Sequence, residues 1–249
     1  MSFKDYIKNL KLDQLFRRLE VSDPLLLAEE VSHFTTKEAA ERDKIVLGYF
    51  GESGVNQIVD AIYEFLLTPP SLPLKAKVLD VGAGTGFFTV SVYNRVRRRL
   101  PNVCFYAMDA TPAMLISLEK KKAGISPFVG IAENIKGSIK EARKYFNIPY
   151  KFDAVFSTLM LHHSTEPEKV FKSIKEVLKS RGKAIVIDLY KHDFEEFKTE
   201  MGDIHLGFEL ESINEMACKH FSNVKIKKIA NIHCECSGRS AEIFAAILS

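Results

Sequence analysis

Val78-Leu79-Asp80-Val81-Gly82-Ala83-Gly84-Thr85-Gly86 decides how this 249-residue chain is read. An apolar run with an acid near its end gives way to three glycines at alternate positions, and a helical pattern follows. This is a strand turning into a helix around a ligand: glycine lets the backbone approach a bound group, and the helix start offers unpaired N–H groups and a positive dipole end. Spacing excludes two common loops of this kind. The dinucleotide fingerprint G-x-G-x-x-G needs its third glycine where this chain has Phe87. A phosphate-cradling P-loop needs Gly-Lys-Ser or Gly-Lys-Thr, and neither occurs in the sequence.

Downstream of Lys75, short β-branched runs alternate with helical ones. The pattern predicts strands near 76–81, 103–109, 127–130, 153–157, 183–189, 223–232 and 240–248. Helices are expected at about 86–98, 112–123, 134–146, 166–179 and 210–221. Such alternation implies a parallel sheet with right-handed crossovers and a ligand at the carboxyl edge of the strands. Only His233 to Arg239 separates the last two strands, too short for a crossover helix, so they should form an antiparallel hairpin. Residues 1–68 are helical in pattern, with Ser22-Asp23-Pro24 as a cap and Thr35-Thr36-Lys37-Glu38 as a capping box. Gly48, Gly51 and Ser53 punctuate the passage to a last helical stretch, Val55 to Leu67. The stiff segment Thr68-Pro69-Pro70-Ser71-Leu72-Pro73 then separates a helical cap, 1–68, from an α/β body, 69–249.

Asp80 to Gly86 resembles the first motif of the class I S-adenosylmethionine-dependent methyltransferases. Three further segments are similar to that family in the same order: Tyr106 to Leu115, Phe152 to His163, and Val177 to Asp188. Together they span residues 76 to 190. The nearest likeness is to small-molecule enzymes of the ubiquinone and menaquinone biosynthesis type. The resemblance implies a Rossmann-like seven-stranded sheet, mostly parallel with an antiparallel last strand, beneath an N-terminal helical cap. It implies S-adenosyl-L-methionine as cofactor. It also implies that Gly82, Ala83, Gly84 and Gly86 form the cofactor loop, that Asp109 accepts from the ribose hydroxyls, and that Asp80 serves the ammonium end. Ala110 is placed near the adenine, and Leu159, just after the fourth strand, is placed among the cofactor contacts. Ile131 stands where family members often carry an acid, so Glu133 or the main chain at Ala132 is left to meet the adenine amino group.

Methyl transfer from a sulfonium needs alignment, exclusion of water and sometimes removal of a proton, but neither a metal nor a covalent nucleophile. His162 and His163 follow the fourth strand and are the candidate bases, since neutral imidazole titrates near neutral pH; a structural histidine bonded to a loop carbonyl is the competing reading. Tyr190, His192, Asp193 and His205 are secondary candidates for substrate contact. Phe34, Tyr49 and Phe50 are candidate lid residues. At the hairpin tip, His233, Cys234 and Cys236, with Cys218 and His220 on the preceding helix, offer soft ligands without a usual zinc spacing, and no metal site is assigned.

A net charge of +3 and 27% charged residues give no overall field for nucleic acid or membrane. The first residues carry charges where a signal peptide needs an apolar core, no run matches a membrane helix, and the four cysteines form no disulfide framework, so a cytoplasmic location is expected. Arg95, Arg97, Arg98 and Arg99, and Lys120 to Lys122, fall at helix ends opposite the reactive edge, which collects acids instead. The turn Ser157-Thr158-Leu159-Met160 lacks the Asn/Asp-Pro-Pro-aromatic signature common among enzymes that methylate exocyclic base amines. A small-molecule acceptor is therefore expected, with methylation of RNA or protein, or a catalytically silent cofactor-binding protein, as alternatives.

Overall fold

The computed structural model describes residues 2–33 and 35–249. Seven strands form one sheet in the order β3-β2-β1-β4-β5-β7-β6, with β1 Lys77–Val81, β2 Cys104–Asp109, β3 Ser126–Val129, β4 Phe152–Thr158, β5 Leu178–Leu189, β6 Val224–Cys236 and β7 Arg239–Leu248. β1 to β5 run parallel, and β7 is antiparallel to both its neighbours. The expected Rossmann-like architecture is therefore present. Strands covered on both faces read as continuous apolar runs, and the two-residue period divides β1 accordingly. Val78 joins the core beneath α4 Thr36–Leu67 and α5 Phe87–Val96, while Leu79 joins that beneath α7 Ile135–Ala142, α8 Pro167–Val177 and α10 Leu210–Cys218. Between α5 and α7, α6 Pro112–Lys120 packs against the N-terminal helices α1 Phe3–Asn9 and α2 Leu12–Arg18 through Leu115, Leu118 and Phe16. α3 is Pro24–His33, and a short α9, Glu196–Met201, was not expected from the sequence.

Two elements depart from expectation. The helix expected over 166–179 ends at Val177, because Leu178 is extended and pairs with Phe152; residues 179–182 bulge out before Lys183 resumes the pairing opposite Ala154. β6 continues past residue 232 to Cys236, since Ser237 (φ 46°) and Gly238 (φ 75°) reverse the chain in two residues, both in the positive-φ conformation that matches a two-residue turn to the right-handed twist of its strands. α4 follows expectation at its start and at its break. It starts at the expected capping box, where Glu38 N donates to Thr35 Oγ1 (3.1 Å) and Thr35 N to Glu38 Oε2 (2.6 Å), and it breaks at Gly51 (φ 61°, ψ 170°). Beyond the break, Ile58, Val59, Ile62, Phe65 and Leu66 share a core with β1, β4 and β5. Lys183 Nζ, itself buried, donates to the carbonyls of Phe65 (2.5 Å) and Thr68 (2.6 Å) and so ties the end of α4 to β5. Before the break, Ala39 packs on Ala113 and Met114 of α6. Among the described residues no helix is long and apolar enough to cross a membrane.

Candidate functional site

Register aligns the carboxyl ends of β1 and β2, Val81 opposite Met108, so the glycine loop leaves β1 beside Asp109. Gly82 N and Ala83 N both donate to Met108 O (2.9 and 3.0 Å), and Gly84 N donates to Asp109 Oδ2 (2.8 Å). All three glycines have positive φ, but for different reasons. A Cβ on Gly82 would meet Met160 Cγ at 2.1 Å and one on Gly86 would meet Leu118 Cδ1 at 2.3 Å, whereas one on Gly84 would point into open space. Gly82 and Gly86 thus make room for protein; Gly84 leaves room for something else.

Above the loop lies an open crevice of about 100 Å³. Asp80, Gly82, Ala83, Gly84, Leu159 and His162 border it from the sheet edge. Arg42, Val46, Tyr49 and Phe50, from the first half of α4, border it from above. Tyr49 and Phe50 stand where lid residues were expected; Phe34 lies outside the described residues. Arg42 went unread in the sequence because a lone cation within a polar helical stretch has the signature of a solvated face. Asp43 beside it accepts from Thr85 Oγ1 of the glycine loop and from Lys121 Nζ (2.5 Å). Lys121 therefore reaches toward the loop and does not face away with the other basic residues.

Asp80 is 3% exposed and accepts from Thr89 Oγ1 (2.5 Å). Burial pushes its pKa up to about 7, with the Thr89 bond opposing and the Asp109 charge adding. Asp109 accepts from Thr111 N (2.8 Å) as well as Gly84 N, and burial raises its pKa too. Each of its oxygens keeps a further acceptor site, so holding the loop and holding a ligand are compatible. Gly130 N donates to Asp109 O (3.0 Å), which brings Ala132 and Glu133 to the same edge, though Glu133 Oε1 already accepts from Ser164 Oγ (2.5 Å). Gly86, Asp109, Ala110, Ala132, Glu133 and His163 are not on the crevice wall; Asp109 reaches it only through its bond to Gly84 N. Leu159 has φ 55°, a left-handed conformation that costs a side-chain-bearing residue about 1–2 kcal/mol.

His162 and His163 lie in a single 3-10 turn, Leu161–His163. His162 is buried, with Nδ1 2.7 Å from Asp188 Oδ1 and Nε2 3.4 Å from Asp203 Oδ1. Burial opposes its protonation, but Asp188 and Asp203 outweigh burial and hold its pKa above the ordinary value. Asp188 also accepts from the backbone N–H of Leu161 and of Leu189, 2.8 Å each. His163 donates from Nδ1 to Gly202 O (3.2 Å), and burial together with the neighbouring His162 lowers its pKa to about 3. His205 Nε2 bonds Ser164 O (2.9 Å), Tyr190 Oη donates to Glu209 (3.0 Å), and His192 packs against Phe194 and Phe197; with the exposed Asp193, all are off the crevice wall. At the hairpin, strand alternation buries Cys234 and Cys236 and exposes His233, so these three cannot converge on one ion. Burial raises both thiol pKa values, that of Cys236 to about 11.

Residues 74–232 match the family described as "Methyltransferase domain". Over 111 residues the chain is 32% identical to a mitochondrial ubiquinone biosynthesis O-methyltransferase of Schizosaccharomyces pombe, a match covering 44% of this chain and 36% of that protein. It is 27% identical over 158 residues to ribosomal RNA small subunit methyltransferase C of Buchnera aphidicola, covering 61% of this chain and 42% of that protein. The chain therefore spans less than half the length of either curated relative. A crystal structure of a SAM dependent methyltransferase from Aquifex aeolicus superposes with a TM-score of 0.57 at 16% identity, over 87% of this chain and 100% of that one, a likeness of fold.

Proposed function

The chain belongs to the methyltransferase-domain family, and on that premise we propose that it moves a methyl group from S-adenosylmethionine to a small, partly apolar acceptor. The observation that carries this reading is the face of Gly84: a positive-φ backbone with open space before it, an acid on either side, and an apolar roof from α4. The bound cofactor supplies a methyl on a positively charged sulfur, already activated toward displacement. Asp109 accepts from the ribose hydroxyls with its remaining lone pairs, and Asp80 compensates the ammonium group. Gly84 gives the backbone its close approach, with Gly82 and Gly86 letting the loop around the cofactor pack on the protein, while Ala110, Ala132 and Glu133 border the adenine. Leu159 closes the inner wall. Of the two histidines, His162 is on the wall and is the one that serves the acceptor's proton; His163 positions the turn. Val46, Tyr49 and Phe50 exclude water. The closing element is the helical cap, residues 1–68, whose half of α4 before Gly51 supplies the side chains that border the crevice.

Calorimetric titration should show one equivalent of S-adenosylmethionine bound, and S-adenosylhomocysteine should compete. In cell extract supplied with labelled methyl donor, label should appear in the small-molecule fraction. Absence of nucleoside binding, or tighter binding of a dinucleotide, would defeat the reading. An RNA acceptor is the second reading, supported by the ribosomal RNA relative and by the exposed Arg98 and Arg99. It requires that Arg98→Glu with Arg99→Glu lower labelling of RNA while leaving cofactor affinity intact.

A further inference from the structure

Beside the crevice, Asp203 is 4% exposed, and neither of its carboxylate oxygens has a hydrogen-bond partner among the described residues. The nearest polar atom of the histidine pair is His162 Nε2, 3.4 Å from Oδ1. That separation is long for a charge-assisted hydrogen bond, which favours about 2.7–2.9 Å. It equals the distance of about 3.3–3.4 Å that separates two ligands placed 2.0–2.1 Å from one tetrahedral cation. His163 completes the group, since one ligand atom from each of His162, His163 and Asp203 lies within 4.8 Å of the others.

The surroundings orient these atoms as they are oriented around bound metals. His162 Nδ1 is 2.7 Å from Asp188 Oδ1, and Asp188 is itself fixed by two backbone N–H groups. His163 Nδ1 is 3.2 Å from Gly202 O, a carbonyl that only accepts, so this nitrogen carries the proton. Each ring is therefore anchored through Nδ1 and presents the lone pair of Nε2, the pattern in which a carboxylate or carbonyl behind a histidine sets its tautomer for coordination. The two ligand-bearing segments are locked in register, because Ile204 N and His205 N both donate to His162 O (3.1 and 3.0 Å).

We propose that His162, His163 and Asp203 bind a divalent first-row transition ion such as Zn²⁺, with Asp188 and Gly202 O as the groups that hold the two rings. Two imidazoles and one carboxylate leave at least one coordination position open. His162 borders the crevice, so a cation on its Nε2 lies where an oxygen or nitrogen of the acceptor can reach it; with both ring nitrogens then engaged, the cation takes over from His162 the task of easing loss of the acceptor's proton. Only this last consequence rests on the methyl-transfer reading; metal binding stands apart from it.

Chelator-treated full-length protein titrated with Zn²⁺ should bind one equivalent, and Co²⁺ should give visible bands of a nitrogen and oxygen site without intense near-ultraviolet thiolate absorption. His163→Ala should weaken Zn²⁺ at least tenfold, Asp188→Asn should weaken it 10- to 100-fold, and Cys218→Ser should leave it unchanged. Asp203→Asn keeps the side-chain shape, and it should melt no lower than the parent without metal while losing the rise in Tm that Zn²⁺ gives the parent. No binding by the parent, full binding by Asp203→Asn, or a thiolate band with Co²⁺ would each overturn the proposal. S-adenosylmethionine titrations of the metal-free parent, run in parallel, keep failure here distinct from failure of the cofactor assignment.

Discussion

Asp80 and Asp109 set the electrostatics of the cofactor end. With a pKa raised from 3.8 to about 7, folded Asp80 binds its proton more tightly than the unfolded chain does, so its contribution to stability falls as pH rises between about 4 and 7. A cationic ammonium reverses that preference. Affinity for S-adenosylmethionine, followed by calorimetry, should therefore rise as pH passes through about 7, and Asp80→Asn should flatten the dependence. Asp109→Ala should weaken binding by about 1.5–3 kcal/mol, the scale of a lost charged acceptor. The glycines separate packing from binding. Gly82→Ala forces a collision with Met160 and should lower Tm, while Gly84→Ala fills open space and should lower cofactor affinity with a backbone-strain cost of about 1–2 kcal/mol. Thermal melts and titrations on the two variants distinguish these outcomes.

At the scale of elements, α4 is two helices with separate duties. The segment before Gly51 is held to the glycine loop and α6 through Asp43, whose two partners are Thr85 and Lys121. Asp43→Ala should speed cofactor release, read by stopped flow, and leave Tm nearly unchanged. Hydrogen exchange with cofactor present should slow in residues 36–50 far more than in 52–67. The break itself was legible, since Gly51 was singled out as punctuation, and the capping box at Thr35 was read from four residues. Local chemistry of that kind is carried by neighbours in sequence. The parallel strands were equally plain, because runs buried on both faces need no partner to be recognised. The extents of β5 and β6 were not, since Leu178 becomes strand only by meeting Phe152, and His233 to Cys236 read as a connector until Ser237 and Gly238 made the turn. The assembly of Asp203 against His162 was hidden for the same reason: 41 positions separate them, and they meet only in the folded chain, where Ile204 N and His205 N donate to His162 O.

Across the whole molecule, one buried cation links the N-terminal helices to the sheet. Lys183 is 3% exposed and spends two donors on the last carbonyls of α4. Lys183→Met keeps the apolar stem and leaves Thr68 O unmet and Phe65 O with the Thr68 hydroxyl alone, at a cost of about 1–3 kcal/mol. In a domain of this size that lowers Tm by roughly 2–4 °C per kcal/mol, measurable by calorimetry. The sheet carries a further consequence in its ordering. The strand that comes seventh along the chain is inserted between the fifth and the sixth, which touch each other only through it. During translation, β5 and β6 emerge from the ribosome with open hydrogen-bonding edges, and no backbone ladder can join them until residues 239–248 have cleared the exit tunnel. A nascent chain stalled ahead of that point is a target for chaperones or for adhesion to its neighbours, and release of ten more residues closes the gap.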